Sequence, residues 1–152
     1  EMDDFSAKPG MPNAYELVGS DANSIQPGKR PLSSMTPTIV LKNKKPFLVI
    51  GSPGGSTIIT TTMQVILNVV VFGMDIKEAV SSPRFHSQWL PDMIMTEPRG
   101  LSKDVIKTLV SRGHTLTPYR WGYIGEANGI LIGKNGFYGG GDTRGETSSA
   151  GY

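Results

Sequence analysis

"GSPGGSTIITTTMQVILNVVVFG", Gly51 to Gly73, sets a glycine turn directly against a long apolar run. The residues ahead of it, Phe47–Ile50, read as a strand, so the stretch is a strand-to-helix junction. The run from about Thr57 to Phe72 is rich in β-branched residues, which favour helix poorly. Its length and the glycine at each end still argue for a helix. Ile58–Phe72 is too short, and too interrupted by Thr and Gln, to span a bilayer. The turn itself has three possible tasks: to hold a phosphate, to hold an oxyanion, or to hold nothing.

Working outward, "TPTIVLKNKKPFLVIGS" reads as a hairpin. Thr38–Lys42 and Phe47–Ile50 are its strands and "NKKP" its turn. Both runs are almost continuously apolar, which predicts that both sheet faces are covered. "DIKEAVSS" predicts a short helix with Asp75 as N-cap and Pro83 just past its end. "RFHSQWLPDMIMTE" reads as extended and broken by Pro91. "SKDVIKTLVSRGH" predicts an amphipathic helix capped by Ser102, with Val105, Ile106, Leu109 and Val110 as its apolar face and Gly113 as its stop. "ANGILIGKNGFYGGG" predicts a second hairpin turning at "KNG". Residues 1–35 carry Pro9, Pro12, Pro27 and Pro31 and keep no period. A loop that long is uncommon in a compact domain unless it has work to do. The expected class is α+β, a layered sheet with helices outside, in a single domain over 1–152.

Composition narrows the function. The chain has 152 residues, 38% hydrophobic and 18% charged, with a net charge of +2. No basic block stands out, which argues against nucleic acid. There is no cysteine, which removes disulfides, thiolate nucleophiles and Cys–metal sites. His86 and His114 are the only histidines and lie far apart, so no metal and no cofactor is expected. The chain opens on "EMDDFSAKPG", without an initiator Met or an apolar leader, and reads as a piece of a longer protein.

The phosphate reading fails on inspection. A P-loop needs a lysine that "GSPGGST" lacks, and Gly51, Gly54 and Gly55 do not match the dinucleotide spacing. Two readings stay open. A strand-to-helix turn needs glycine for its dihedrals alone. Adjacent glycines at a helix start can also present bare N–H groups to the oxyanion of acyl transfer. Upstream, "RPLSSMTPT" places Ser33 and Ser34 in a turn, and "EMDDF" places Glu1, Asp3 and Asp4 together. Paired hydroxyls and clustered carboxylates can bind a zwitterion, the carboxylate on the serines and the ammonium on an aspartate. Each of these short stretches, taken alone, reads first as an ordinary turn or a solvated loop.

In this order, "EMDDFSAKPG", "GSDAN", "KRPLSSMTPT", "GSPGGS" and "SPRFHSQWLPD" resemble the small-subunit region of the bacterial γ-glutamyltransferase family, and the resemblance runs to the final "AGY". It implies an N-terminal nucleophile hydrolase, part of a layered αββα sandwich whose first strands lie outside this chain. Such proteins are made as precursors that cut themselves into two subunits. A threonine freed at the small subunit's N-terminus attacks the γ-glutamyl amide of glutathione or an analogue, and the resulting ester passes to water or an amine. By the same resemblance Gly54 and Gly55 form the oxyanion hole, Ser33 and Ser34 hold the donor α-carboxylate, and Asp4 takes its α-ammonium, with Glu1 nearby.

The resemblance places the threonine nucleophile upstream of "MDDF". It matches none of Thr36, Thr38, Thr57 or Thr60–Thr62, so the chain alone is expected to be inactive. The partner it implies is a large subunit from the same precursor, and the compartment is periplasmic or secreted. Two further readings are a relative acting on a polyglutamate capsule and a non-catalytic domain that binds γ-glutamyl compounds or a partner. His86 is expected to pack near Trp89, and Asp142 to pair with Arg144 in a structural role.

Overall fold

The computed structural model describes residues 2–150, apart from the side chain of Asp3. It is a mixed α/β fold of seven strands and three α-helices among the described residues. Residues 2–37 wind over the surface with only two single-turn 3-10 segments, Met2–Asp4 and Asp21–Asn23, as the proline and glycine content predicts.

β1 (Thr38–Lys42) and β2 (Lys45–Gly51) form the first hairpin. The turn is tighter than expected. Asn43 and Lys44 both take positive φ, 53° and 64°, so Lys45 and Pro46 join the strand rather than the turn. This is the mirror-image turn that matches strand twist. β6 (Asn128–Gly133) and β7 (Gly136–Gly141) form the second hairpin, and the four strands make one antiparallel sheet in the order β1-β2-β6-β7.

α1 (Thr57–Val70) follows β2 through the glycine turn and lies on one face of this sheet. α2 (Ile76–Ser81) packs on β6 and β7. Asp75 caps α2 as predicted, and Glu78 returns the bond to complete a capping box. The core is where helices and sheet meet: Leu48, Ile50, Val65, Val69, Ile76, Ala79, Val80 and Ala127, with Val40 and Leu131 against them.

The opposite sheet face corrects an expectation. Ile39 pairs with Val49, and Val49 with Ile130, so the three line one face. They are 63%, 37% and 45% exposed. The apolar run predicts two covered faces, and within this chain only one is covered.

A second sheet of three short strands lies beyond α1: β3 (Phe85–His86), β4 (Ile94–Thr96) and β5 (Leu116–Pro118), with β4 parallel to β5. Pro91 separates β3 from β4 as predicted, while the three-residue β5 gave no sequence signal. α3 (Lys103–Ser111) forms where expected, after Ser102. None of its residues is buried, and Val105 and Val110 stand 40% and 56% exposed, so its apolar face is only partly used here.

Candidate active site

The glycine turn lies where β2 hands over to α1. Gly54 and Gly55 have φ of +138° and +58°, and only Ser56 separates them from the helix. Neither backbone permits an ordinary side chain without strain. The space forbids one as well. A Cβ on Gly55 would run into the Tyr15 ring, and one on Gly54 would lie 2.5 Å from Thr57 Oγ1. Their carbonyls start the helix: Thr57 N–H and Ile58 N–H donate to Gly54 O and Gly55 O. Among the described residues neither glycine N–H has an acceptor. Two unpaired donors at a helix start favour negative charge.

The serine turn meets this glycine turn through one of its two hydroxyls. Ser34 Oγ donates to Gly55 O at 2.9 Å. Ser33 is exposed, and its Oγ accepts from Met35 N–H at 3.3 Å. A cavity of about 440 Å³ is lined by Asp4, Ser34 and Ser56 together with the loop over residues 5–19. Asp4, Ser34 and the approach to the glycine turn therefore share one space, and Ser33 lies outside its lining. Asp4 is fixed through its backbone, whose carbonyl accepts from Asn23 Nδ2 at 2.8 Å. Glu1 lies outside the described residues.

Tyr15 is the residue that motif reading misses. Asn13 Oδ1 accepts from Tyr15 N–H at 2.9 Å and from Leu17 N–H at 3.0 Å, which folds the loop tip. Gln88 Nε2 donates to Tyr15 O at 2.7 Å. The tip then sets the Tyr15 ring against Gly55. An aromatic two residues after Asn13 in an irregular loop, "MPNAYELVG", was the available signal.

His86 is buried, and its partners are Thr60 and Gln88 rather than Trp89, which is 80% exposed. Gln88 already donates through Nε2, so its Oε1 accepts from His86 Nε2–H, and His86 Nδ1 lies 2.7 Å from Thr60 Oγ1, whose single proton also has Thr57 O within reach at 3.1 Å. Burial pushes the pKa of the ring down, which favours the neutral imidazole.

Behind the site lies a buried ionic cluster. Asp142 accepts from Arg84 at 2.7 Å and from Arg144 at 2.9 Å, as the Asp142–Arg144 pairing predicts, and Arg144 also pairs with Glu97. Burial alone would raise the Asp142 pKa, but the two guanidinium partners hold it below the usual carboxylate value. Burial pushes Arg84 down despite Asp142, whereas for Arg144 the bonds to Glu97 and Asp142 outweigh burial and push it up. The same carboxylates hold the chain leading back to the turn. Glu97 accepts from Ile124 N–H and Asp142 from Ala127 N–H, while Glu126 N–H donates to Ser52 Oγ beside the glycines. Among the described residues no group of three His, Asp or Glu could hold a metal, and no helix is long and apolar enough to cross a membrane.

The chain as a whole is similar to known proteins in sequence and fold. The family model described as Gamma-glutamyltranspeptidase matches residues 1–152. The glutathione hydrolase proenzyme of Escherichia coli K12 is 49% identical over 154 residues, covering 100% of this chain and 26% of that protein. The crystal structure of a mutant γ-glutamyltranspeptidase from Helicobacter pylori is 55% identical with a TM-score of 0.89, over 95% of this chain and 79% of that one. A γ-glutamyltranspeptidase from Pseudomonas nitroreducens is 42% identical with a TM-score of 0.91, over 100% of this chain and 79% of that one. The chain spans about a quarter of the length of the curated relatives it matches. Motif order, fold and sequence identity agree over its full length, and the chain belongs to the γ-glutamyltranspeptidase family.

Proposed function

We propose that this chain is the C-terminal part, as a single domain over 1–152, of the small subunit of a γ-glutamyltransferase. The whole enzyme would cleave γ-glutamyl amides such as glutathione and pass the γ-glutamyl group to water or an amine. The observation that carries this reading is the Ser34–Gly55 hydrogen bond, which joins the serine turn to the glycine turn beside a cavity that Asp4 also lines. A γ-glutamyl donor is a zwitterion at one end and an amide about three methylene-length steps away. It needs a carboxylate acceptor for its ammonium, hydroxyl donors for its carboxylate, and N–H donors for the oxyanion.

In this reading Asp4 takes the ammonium, Ser33 and Ser34 the α-carboxylate, and the Gly54 and Gly55 N–H groups the oxyanion, with Glu1 adding charge near the ammonium. Tyr15 packs on Gly55, and both glycine carbonyls start the helix, so the two N–H donors are positioned before the substrate arrives. The nucleophile is a threonine upstream of Glu1. No threonine lines the cavity beside Ser34, Thr57 Oγ1 already donates to Gly54 O, and Thr60 Oγ1 meets Thr57 O and His86 Nδ1. The large subunit comes from the same precursor, and the enzyme works in the periplasm or outside the cell. The exposed Ile39–Val49–Ile130 face supports a layered αββα arrangement in which a second sheet, with the first strands of the small subunit, covers it.

The test uses the full-length precursor. It should split into two subunits and release nitroaniline from γ-glutamyl-p-nitroanilide through a trappable ester on the new N-terminal threonine. Processing without anilide turnover would remove the transferase reading and leave a γ-glutamyl-binding protein.

A further inference from the structure

Three hydroxyls reach three successive carbonyls along the glycine turn. Ser52 Oγ donates to Pro53 O at 2.7 Å, Thr57 Oγ1 to Gly54 O at 2.9 Å, and Ser34 Oγ to Gly55 O at 2.9 Å. They come from different elements. Ser52 lies just past the end of β2, Thr57 is the first residue of α1, and Ser34 belongs to the serine turn. Ser52 takes a second bond. Its Oγ accepts from Glu126 N–H at 3.0 Å, which leaves its one proton directed at Pro53 O. Thr57 is 2% exposed, so close packing confines its side chain as well.

A peptide unit is planar, and in the trans form its C=O and N–H point in opposite directions. The Pro53–Gly54 and Gly54–Gly55 bonds are both trans. The carbonyl that Ser52 holds is therefore the far end of the unit that carries the Gly54 N–H. The carbonyl that Thr57 holds is the far end of the unit that carries the Gly55 N–H. These two N–H groups are the donors that have no acceptor among the described residues. Glycine restrains its neighbouring peptide planes less than any other residue. A hydrogen bond at the carbonyl then sets where the N–H points. It also polarises the amide, which strengthens the N–H as a donor. Ser34 holds the next carbonyl along, so it restrains the turn without aiming either donor.

We propose that Ser52 and Thr57 are the positioning residues of the oxyanion hole, one hydroxyl for each donor. The inference rests on the γ-glutamyl reading above, and neither hydroxyl touches the substrate. In the step concerned, the threonine oxygen bonds to the γ-carbonyl carbon, and the C=O electron pair moves onto the carbonyl oxygen. Two N–H groups already aimed at that oxygen meet the charge as it forms. The pair then restores the C=O bond. The amine leaves with the C–N electron pair and the proton that the threonine hydroxyl gave up.

The test uses the full-length processed protein, γ-glutamyl-p-nitroanilide as donor and two competitive ligands. Glutamate keeps a planar γ-carboxylate. Its boronic acid analogue, with boron in place of the γ-carboxyl carbon, bonds to the threonine oxygen as a tetrahedral anion and sets a boron oxygen in the hole. Thr57→Val keeps the shape of the side chain and removes the hydroxyl. It should lower kcat roughly 10-fold, less than deleting an oxyanion donor outright, and leave KM nearly unchanged. It should weaken the boronate by a similar factor and barely affect glutamate. Thr57→Ser, which keeps the hydroxyl, should restore both kcat and boronate affinity. Ser52→Ala should repeat the Thr57→Val pattern, and it makes the same comparison from outside the helix should Thr57→Val fail to fold. Equal weakening of glutamate and boronate, or no change in boronate affinity and kcat, would make these hydroxyls ordinary turn bonds and overturn the inference. Absence of anilide turnover in the wild type would instead remove the γ-glutamyl reading and the inference with it.

Discussion

The Ser34 hydroxyl donates its only proton to the Gly55 carbonyl oxygen, 2.9 Å away. Ser33 spends none of its donor capacity, since its oxygen accepts from Met35 N–H. The two neighbouring serines are therefore not equivalent. Ser33 can give a proton to a ligand carboxylate at once, whereas Ser34 must let go of the glycine turn to do so. In the full-length enzyme, Ser33→Ala should raise the donor KM, with a loss of roughly 1.5–3 kcal/mol in donor binding. Ser34→Ala should also lower kcat, because Gly55 loses a restraint. Donors with an amidated α-carboxylate should be hurt less by Ser33→Ala than the natural donor. An equal drop for both donors would make Ser33 a residue of the turn alone.

Gly55 should tolerate no side chain. Ala at φ +58° costs about 1–2 kcal/mol in backbone strain, and its methyl would meet the Tyr15 ring. Gly55→Ala is expected to lower kcat by roughly 100-fold or more, the usual scale for disturbing an oxyanion donor. Adding Tyr15→Ala removes the clash and leaves the strain. The double variant should regain thermal stability relative to Gly55→Ala. Equal melting temperatures for the two would show that the ring contact is not what excludes a side chain.

Much of this was legible in the sequence, and the reasons are local. Asp75 and Gly113 punctuate their helices with caps that act within a few residues, and "KNG" and the Asn43–Lys44 pair within "NKKP" close turns by their own dihedrals. Three features were not legible. β5 has three residues and exists only because β4 offers it a parallel edge. Tyr15 reaches Gly55 across forty positions, a contact that no periodicity encodes. The cluster of Arg84, Glu97, Asp142 and Arg144 joins three separate segments. Only its Asp142–Arg144 pair, two residues apart, could be expected in advance. The apolar β1–β2 run misled about the second face, since Ile39, Val49 and Ile130 stay exposed in this chain; the layered arrangement proposed above would cover them.

Asp4 should matter for binding more than for processing. It lines the cavity of about 440 Å³ beside Ser34. Asp4→Ala in the full-length enzyme should weaken donor binding by about 2–5 kcal/mol, the scale for removing one partner of a buried charge pair. Subunit cleavage should proceed at a rate much closer to wild type. An unchanged KM for the donor would rule out the ammonium-binding role.

The ionic cluster should respond to charge rather than to shape. Asp142 is 1% exposed between two guanidinium groups and also accepts from Ala127 N–H. Asp142→Asn keeps the volume and strands two buried cations, so it should cost about 3–5 kcal/mol. Thermal unfolding of the full-length protein checks this. Loss of less than about 1 kcal/mol would mean that Glu97 alone balances both arginines.

His86 gives the cleanest pH signature. Its folded pKa lies below the usual 6.5 because burial disfavours the charged ring. As pH falls through 6.5, the unfolded chain takes up a proton that the folded chain still refuses. Unfolding is then favoured, so the stability His86 contributes is fully present above about pH 6.5 and is lost progressively below it. Each unit by which burial depresses the pKa corresponds to about 1.4 kcal/mol lost at the acid end. Asp142 acts in the same direction but at lower pH, beginning near its usual 3.8, so the two windows separate. Full-length protein should therefore melt at a lower temperature at pH 5.5 than at pH 7.5, and His86→Gln should flatten that difference. The variant keeps a neutral amide near Thr60 and Gln88 and removes the titrating ring, while every other histidine stays in both proteins and cancels. If His86→Gln kept the full wild-type slope between those two pH values, the buried imidazole would not be its source.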